Sequence, residues 1–262
     1  MRVLVTVKFT PDLQSNRSFT DGYVTRTADD GSMNELDEHA VEAALQLVEA
    51  VGEGEVYALT VGGPDAGAAV RKALQLGVNH AIHVSDEAIA GSDVFGTARV
   101  LAAAIQRVHE EAPLDLVVTG MAALDGLTSM LPTALAAELD WSQLTLASSL
   151  EVADGVATIR RDLPDAHETM QAPLPAVVSV TDEANKPRYP NFKMIMAART
   201  AVVETWSLAD LGVDPATVGA AASRTSVVAA EPRPPRENRV IVTDTGEGGR
   251  LLADFLLERG LA

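Results

Sequence analysis

Four short runs of aliphatic and β-branched residues alternate with helical patterns through the first half of the chain, and this alternation limits the possible folds most strongly. The runs predict strands at residues 2–8, 55–61, 80–84 and 114–119. Apolar residues at helical spacing predict helices between them, at 35–51, 65–76 and 94–111. Such alternation produces a parallel sheet with helices on its faces, so we predict a three-layer α/β fold.

The second half of the chain adds a smaller β element and an extended end. We predict an antiparallel hairpin from strands 144–152 and 156–161, and a further buried strand at 176–180. Two prolines exclude both helix and central strand at 185–191. A Pro-rich arm at 231–238 precedes an amphipathic helix at 247–260, so we divide the chain into a domain at 1–230 and an arm and helix at 231–262.

Composition excludes several classes of function. The chain of 262 residues has no cysteine, which excludes disulfides, thiolate catalysis and cysteine-bound iron–sulfur or zinc centres. A formal charge of −17 argues against nucleic acid or an anionic membrane as the main partner. The histidines lack metal-binding spacing, so no metal site is predicted. A strand begins at residue 2 and no apolar run is long enough to span a membrane, so we expect a cytoplasmic protein.

Several strand ends carry residues suited to a nucleotide. Ligands bind beyond the carboxyl ends of the strands in an open parallel sheet. Gly62 and Gly63 follow the second strand, and Gly120 follows the fourth. The segment 126–130 then offers backbone N–H groups, two hydroxyls and a helix start, all suited to phosphate. We therefore predict a nucleotide pocket there, and interpret residues 91–93 only as a helix cap.

The chain resembles the β subunits of electron transfer flavoproteins along nearly all of its length. The matching residues are the strand end Val7-Lys8, Asn34 with Asp37, the helix 40–45 (AVEAAL), 70–74 (VRKAL), 120–128 (GMAALDGLT), 174–178 (LPAVV), 185–190 (NKPRYP) and Ile195-Met196. This resemblance implies an adenine nucleotide α-hydrolase-like fold and an αβ heterodimer. It also implies FAD held mainly by the α subunit and a structural AMP in the β subunit.

The resemblance implies an electron carrier with no catalytic residues. Electrons would arrive from dehydrogenases such as the acyl-CoA dehydrogenases of fatty acid oxidation, and leave to a membrane quinone oxidoreductase. By position, the cofactor site comprises Thr6, Leu13, Asn34, Glu35, Leu36, Asp37, Gly62, Gly120, Met121, Ala122, Ala123, Leu124, Asp125, Gly126, Leu127, Thr128, Ser129, Met130 and Leu131. Leu13 would lie near the flavin ring, and the phosphate on the turn 127–131.

The segment 184–196 corresponds to the family's recognition loop, which anchors the dehydrogenase. The residues assigned to partner binding are Asn185, Pro187, Arg188, Tyr189, Pro190, Phe192, Ile195 and Met196, with Phe192 at the anchoring position. The chain departs from the family at 197–200 (AART), where many members carry several lysines. The arm and helix at 231–262 would pack on the α subunit.

Two other functions remain open at this stage. An electron-bifurcating form of the family would hold FAD in the pocket in place of AMP. A stand-alone adenine-nucleotide sensor of the universal-stress type would use a similar sheet, although the Pro-rich arm and terminal helix count against it. An ATP-pyrophosphatase-type enzyme is disfavoured because the chain has no SGGxD loop.

Overall fold

The computed structural model describes residues 1–235, 237 and 240–261. Residue contacts divide the chain into two compact units, Met1–Ala230 and Glu231–Ala262. The strands are β1 (Arg2–Thr6), β2 (Phe9–Pro11), β3 (Phe19–Thr20), β4 (Tyr23–Val24), β5 (Gly31–Met33), β6 (Glu55–Val61), β7 (His80–Val84), β8 (Leu116–Gly120), β9 (Ser142–Ala147), β10 (Ser149–Ala153), β11 (Val156–Leu163), β12 (Ala166–Pro173), β13 (Ala176–Val180) and β14 (Val203–Trp206). The helices are α1 (Glu35–Val51), α2 (Gly67–Leu76), α3 (Val94–Glu111), α4 (Leu131–Leu139), α5 (Phe192–Thr200), α6 (Gly219–Ala222) and α7 (Gly248–Glu258), with short 3₁₀ turns at Pro64–Ala66, Glu87–Ile89 and Pro215–Thr217.

The central sheet has seven strands in the order β14-β7-β6-β1-β8-β13-β9. All its pairings are parallel, which confirms the predicted α/β fold. The four strands predicted in the first half occupy adjacent positions, β7-β6-β1-β8, and the predicted strand at 176–180 is β13. The predicted helices at 35–51 and 94–111 are α1 and α3. The edge strand β14 was not predicted.

The sheet buries side chains on both of its faces. In β1, Val3 and Val5 pack on the face that carries α1 and α2, while Leu4 packs on the opposite face with α3 and α4. This alternation follows from the two-residue period of a strand. Since both faces are covered, the middle strands are nearly continuous runs of apolar residues, as parallel sheets require.

The hairpin of the second half was only partly predicted. The turn at Asp154 and Gly155 is present, with φ values of 52° and 75°, and it joins β10 to β11. The prediction of one strand over 144–152 was wrong, because the chain leaves the parallel sheet after β9 and begins β10 at Ser149. Leu146 has a φ of 61° and the β9–β13 register is irregular opposite it, so the strand bends there. A third strand, β12, is polar and largely exposed, and was missed.

The polar segment at 9–33 contains two small antiparallel pairs. Strands β2 and β5 close its base, and Gly31 lies so close to the Phe9 ring that a Cβ atom would stand 1.9 Å from it. A hairpin turns at Asp21 and Gly22, with β3 and β4 on either side and left-handed φ values of 51° and 82°. This segment is therefore a folded excursion and not a simple connection.

In the C-terminal unit, α7 confirms the predicted terminal helix. Residues 231–235 form neither helix nor strand, while Arg236 and Asn238 of the predicted arm lie outside the described residues. Across the described part of the chain, every helix is too short or too polar to traverse a bilayer.

Candidate functional site

A cavity of about 900 Å³ opens at the carboxyl ends of β7, β6, β1 and β8. Thr6 ends β1, Gly62 follows β6 and Gly120 ends β8, and all three line the cavity. Ser85, directly after β7, completes this row of strand ends. The position is the one where open parallel sheets bind ligands, and the volume suits a small organic molecule.

The structure brings most of the predicted cofactor residues together around this cavity. Those that line it are Thr6, Asp37, Gly62, Gly120, Met121, Ala122, Ala123, Gly126, Leu127, Thr128, Ser129 and Leu131. Those that do not are Leu13, Asn34, Glu35, Leu36, Leu124, Asp125 and Met130. Leu13 lies in the excursion and is half exposed. The assignment of all these residues to cofactor binding stays a prediction.

Asn34 acts on the cavity indirectly. Asn34 directly precedes α1, but its side chain makes no capping hydrogen bond. The side chain instead donates to the carbonyl of Ala122 at 2.9 Å and accepts from the N–H of Leu124 at 3.0 Å. Buried Asn34 therefore fixes the path of the chain after β8, which forms one wall of the cavity.

Asp37, in the first turn of α1, is a buried carboxyl in the cavity wall. It accepts the backbone N–H of Lys8 at 2.8 Å. Burial raises the pKa of Asp37 to about 7, against the opposing effect of the Lys8 hydrogen bond. Gly120 packs against the same turn, where an added Cβ would stand 2.5 Å from the Asp37 carboxylate. Only glycine fits at this contact between β8 and α1.

The turn before α4 has the conformation of an anion site. Leu127 and Ser129 both have left-handed backbone, with φ values of 49° and 50°. Among the described residues, no acceptor pairs with the backbone N–H groups of Thr128, Ser129 and Met130. Free N–H groups in such a turn, ahead of a helix N-terminus, attract anions. This geometry supports the predicted phosphate position.

A cluster of ion pairs around a buried carboxylate lies next to that turn. The Asp125 side chain is 1% exposed, and it binds Lys8 Nζ through Oδ1 at 2.8 Å and Arg26 Nε through Oδ2 at 3.0 Å. Although burial opposes ionisation, the two cations hold the pKa of Asp125 below its usual value. Arg17 donates to the carbonyl of Leu124 at 3.2 Å. Two arginines of the segment 9–33, Arg17 and Arg26, therefore bind residues 124–125.

Sequence reasoning missed the wall that follows β7. Ser85, Asp86 and residues 91–93 all line the cavity. Asp93 caps α3, as expected, by accepting from the N–H groups of Phe95 and Gly96. The interpretation of this segment as a cap alone was incomplete. Ligands bind beyond the carboxyl ends of parallel strands, so the position of these residues directly after the predicted strand 80–84 is the signal that identifies them.

In the predicted partner-binding segment, residues 184–196, some side chains bind the rest of the protein and others are exposed. Arg188 donates to Glu42 at 2.7 Å and to Glu49 at 2.6 Å, both on α1. Asn185 donates to the carbonyl of His39, one turn earlier on the same helix. These two residues face the protein and fix the segment to α1.

The other residues of the segment are more accessible. Tyr189 is 94% exposed and Phe192 is 79% exposed, while Met196 lies one helical turn after Phe192 and is 43% exposed. Pro187, Pro190 and Ile195 are half-buried. Asn191 caps α5 by accepting the N–H of Met194, and Arg71 of α2 donates to the carbonyls of Ala198 and Ala201 at its other end. Phe192 and Met196 thus lie on a helix held at both ends, and Tyr189 lies three residues before its start.

The two histidines of β7 have packing roles. His80 stacks on Tyr57, with ring centroids 4.4 Å apart. His83 is buried, with Nε2 3.1 Å from the carbonyl oxygen of Gly62. No group of three or more potential metal ligands occurs among the described residues.

Comparison with known proteins gives matches over most of the chain. Residues 21–211 match the family model described as the electron transfer flavoprotein domain. The electron transfer flavoprotein subunit beta of Mycobacterium tuberculosis is 38% identical over 261 residues, covering 97% of each chain. The caffeyl-CoA reductase-Etf complex subunit CarD of Acetobacterium woodii is 31% identical, over 94% of this chain and 93% of its own. Protein FixA of Azotobacter vinelandii is 30% identical, over 82% and 77%.

Proposed function

The chain belongs to the electron transfer flavoprotein family, of which it is a β subunit, and we propose that it works with an α subunit as a heterodimer. The heterodimer takes electrons from dehydrogenases such as the acyl-CoA dehydrogenases and passes them towards a membrane quinone oxidoreductase, in the cytoplasm. FAD, held mainly by the α subunit, supplies the redox chemistry when bound. The chain has no cysteine, so it contributes no thiol or iron–sulfur relay.

The cavity at the strand ends is the observation that carries the nucleotide part of this proposal. Its residues fit an adenosine monophosphate. The unpaired N–H groups of Thr128, Ser129 and Met130, with the start of α4, suit the phosphate. Apolar residues at the ends of β6 and β8, Val61 and Met121, line the cavity and suit the base, and Asn34 and Gly120 fix the path of the chain after β8. The AMP is structural, since it ties together loops from four strands.

The exposed side chains of 184–196 are the proposed dehydrogenase contact. Apolar side chains that stay exposed on a rigid element are typical of interface anchors. Tyr189, Phe192 and Met196 have this character. Arg188 and Asn185 contribute by positioning the segment, so their assignment to partner binding is indirect.

The C-terminal unit is the proposed α-subunit contact. In α7, Leu252 and Leu257 are mostly exposed, and Phe255 is partly exposed. A run of three apolar residues at 240–242 is exposed as well. Apolar side chains at this density favour burial against another chain.

A second candidate places FAD in the cavity in place of AMP, as an electron-bifurcating form. The similarity to a subunit of a caffeyl-CoA reductase-Etf complex, together with a cavity near the upper end of the usual range for small-ligand sites, favours testing it. The family assignment removes the stand-alone sensor.

The two candidates differ in cofactor content. The protein is co-expressed with its α subunit, purified and denatured, and the released flavin and nucleotide are separated and quantified. One FAD and one AMP per heterodimer supports the proposal. Two FAD and no AMP supports the second candidate. A colourless monomer that does not bind the α subunit contradicts both candidate functions.

A further inference from the structure

The charges on the cavity wall are unfavourable for a nucleotide except at one end. Two cations line the cavity within the described residues, Lys8 and Arg26. Five carboxyl groups line it as well, on Asp37, Asp65, Asp86, Glu87 and Asp93. A phosphate monoester carries up to two negative charges at neutral pH. Its phosphate group must therefore lie at the cationic end of the cavity.

Both cations are held at that end by Asp125. Its Oδ1 accepts from Lys8 Nζ at 2.8 Å, while its Oδ2 accepts from Nε and Nη2 of Arg26. Asp125 directly precedes the turn 126–131, and both cations line the same cavity as that turn. Asp125 and the two cations together carry a net charge of +1. The Asp37 carboxyl also interacts with Lys8 and Asp125, but burial raises its pKa to about 7, so it adds only part of a negative charge at neutral pH.

Arg26 keeps binding capacity despite these contacts. Its side chain is 37% exposed, whereas that of Asp125 is 1% exposed. The recorded contacts of Arg26 are to Asp125 and to the carbonyl of Val24, and a guanidinium has more N–H donors than these contacts use. Arginine in a fixed orientation is well suited to phosphate because its donors match two phosphate oxygens at once.

We propose that Arg26 binds the phosphate of the nucleotide in this cavity and that Asp125 is a positioning residue that holds the guanidinium there. Lys8 supplies a second charge at the same place. The excursion at 9–33 then has a function of its own, because it delivers a cationic side chain to a site built otherwise from strand ends. This inference rests on the proposed nucleotide site and deepens it.

The test separates phosphate binding from the rest of the site. The heterodimer is freed of bound nucleotide, and the affinities for AMP and for adenosine are measured by calorimetry. Arg26→Gln should weaken AMP binding roughly 10- to 100-fold, the range for a lost charged hydrogen bond, and leave adenosine binding unchanged. Arg26→Lys keeps the positive charge but loses the paired N–H donors of the guanidinium. Its affinity for AMP should lie between those of the wild type and Arg26→Gln. The salt dependence of AMP binding should be shallower in Arg26→Gln.

Arg17→Gln is the matched control. Arg17 lies in the same excursion and binds the neighbouring Leu124, but it does not line the cavity, so its ratio of AMP to adenosine affinity should equal that of the wild type. The inference is overturned if Arg26→Gln keeps the wild-type ratio, whether both affinities fall together or neither changes. If the wild type binds neither AMP nor adenosine, the proposed nucleotide site itself fails.

Discussion

The anchoring of residues 184–191 to α1 through Arg188 gives a prediction whose magnitude follows from the structure. Glu42 accepts three hydrogen bonds from Arg188, through its backbone N, Nε and Nη2. The Glu42 side chain is 6% exposed and that of Arg188 is 26% exposed, so solvent screens this pair only weakly. Glu42→Gln keeps the size and one acceptor oxygen but removes the charge. Charged hydrogen bonds contribute about 1.5–3 kcal/mol each, and Glu49 still holds Arg188, so we expect a loss of about 2 kcal/mol.

Hydrogen exchange measured by mass spectrometry is the appropriate assay because the effect is local. A loss of about 2 kcal/mol in opening free energy corresponds to roughly 30-fold faster exchange of the amides in peptides that cover 184–191. Peptides from β1 should exchange at the wild-type rate. Glu49→Gln is the matched control, since Glu49 is 59% exposed and binds the same guanidinium. Exposed pairs contribute at most about 1 kcal/mol, so the control should change exchange by less than about 5-fold.

The sign of the pH dependence gives a second check on the same pair. Although burial opposes ionisation, the Arg188 contacts hold the pKa of Glu42 below its ordinary value of 4.5. The stabilisation by ionised Glu42 is therefore complete above about pH 4.5 and is lost as the pH falls through the lower pKa of the folded state. The difference between wild type and Glu42→Gln should be constant from pH 6 to pH 8. Equal effects of the two substitutions, or faster exchange throughout β1, would refute the local anchor.

Three further predictions test other parts of the molecule. Phe192→Ala should weaken electron transfer from the dehydrogenase at unchanged FAD and AMP content. Val202→Ala alters an exposed apolar residue outside residues 184–196 and should leave this electron transfer unchanged. A fall in flavin content with normal electron transfer in Phe192→Ala would show that the assignment of Phe192 to dehydrogenase binding is wrong. The raised pKa of Asp37, about 7, means that the folded state binds a proton which the unfolded state releases near pH 4, so stability should fall as the pH rises between these values. Asp37→Asn should flatten that slope in thermal unfolding from pH 5 to pH 8, and parallel curves would contradict the shift. Gly120→Ala should lower both thermal stability and nucleotide content, because its Cβ would meet Asp37 and the Leu36 carbonyl within 3 Å.

The central sheet was largely predictable because its signal is local. The strands β6, β7 and β13 match their predicted bounds, since each is a short apolar run between polar turns. The edge strand β14 and the polar strand β12 were missed, because strands of this kind bury too little apolar surface to show a pattern. The bend at Leu146 was missed for another reason, since it depends on pairing with β13, which is remote in sequence.

In the candidate site, too, some features were predictable from local sequence and others were not. The sequence alone predicted a pocket at the strand ends, where the structure has a cavity, because glycines and hydroxyls follow apolar strands and the parallel fold brings these ends together. A nucleotide as its occupant stays a proposal. The family resemblance, now confirmed by the matches, was carried by contiguous blocks of residues. Contacts between distant residues were decided only by the tertiary structure. Asn34 reaches the loop after β8, Arg26 reaches Asp125, and Arg188 turns inward to Glu42. Side-chain pairing across such separations depends on packing geometry, which residue order does not express.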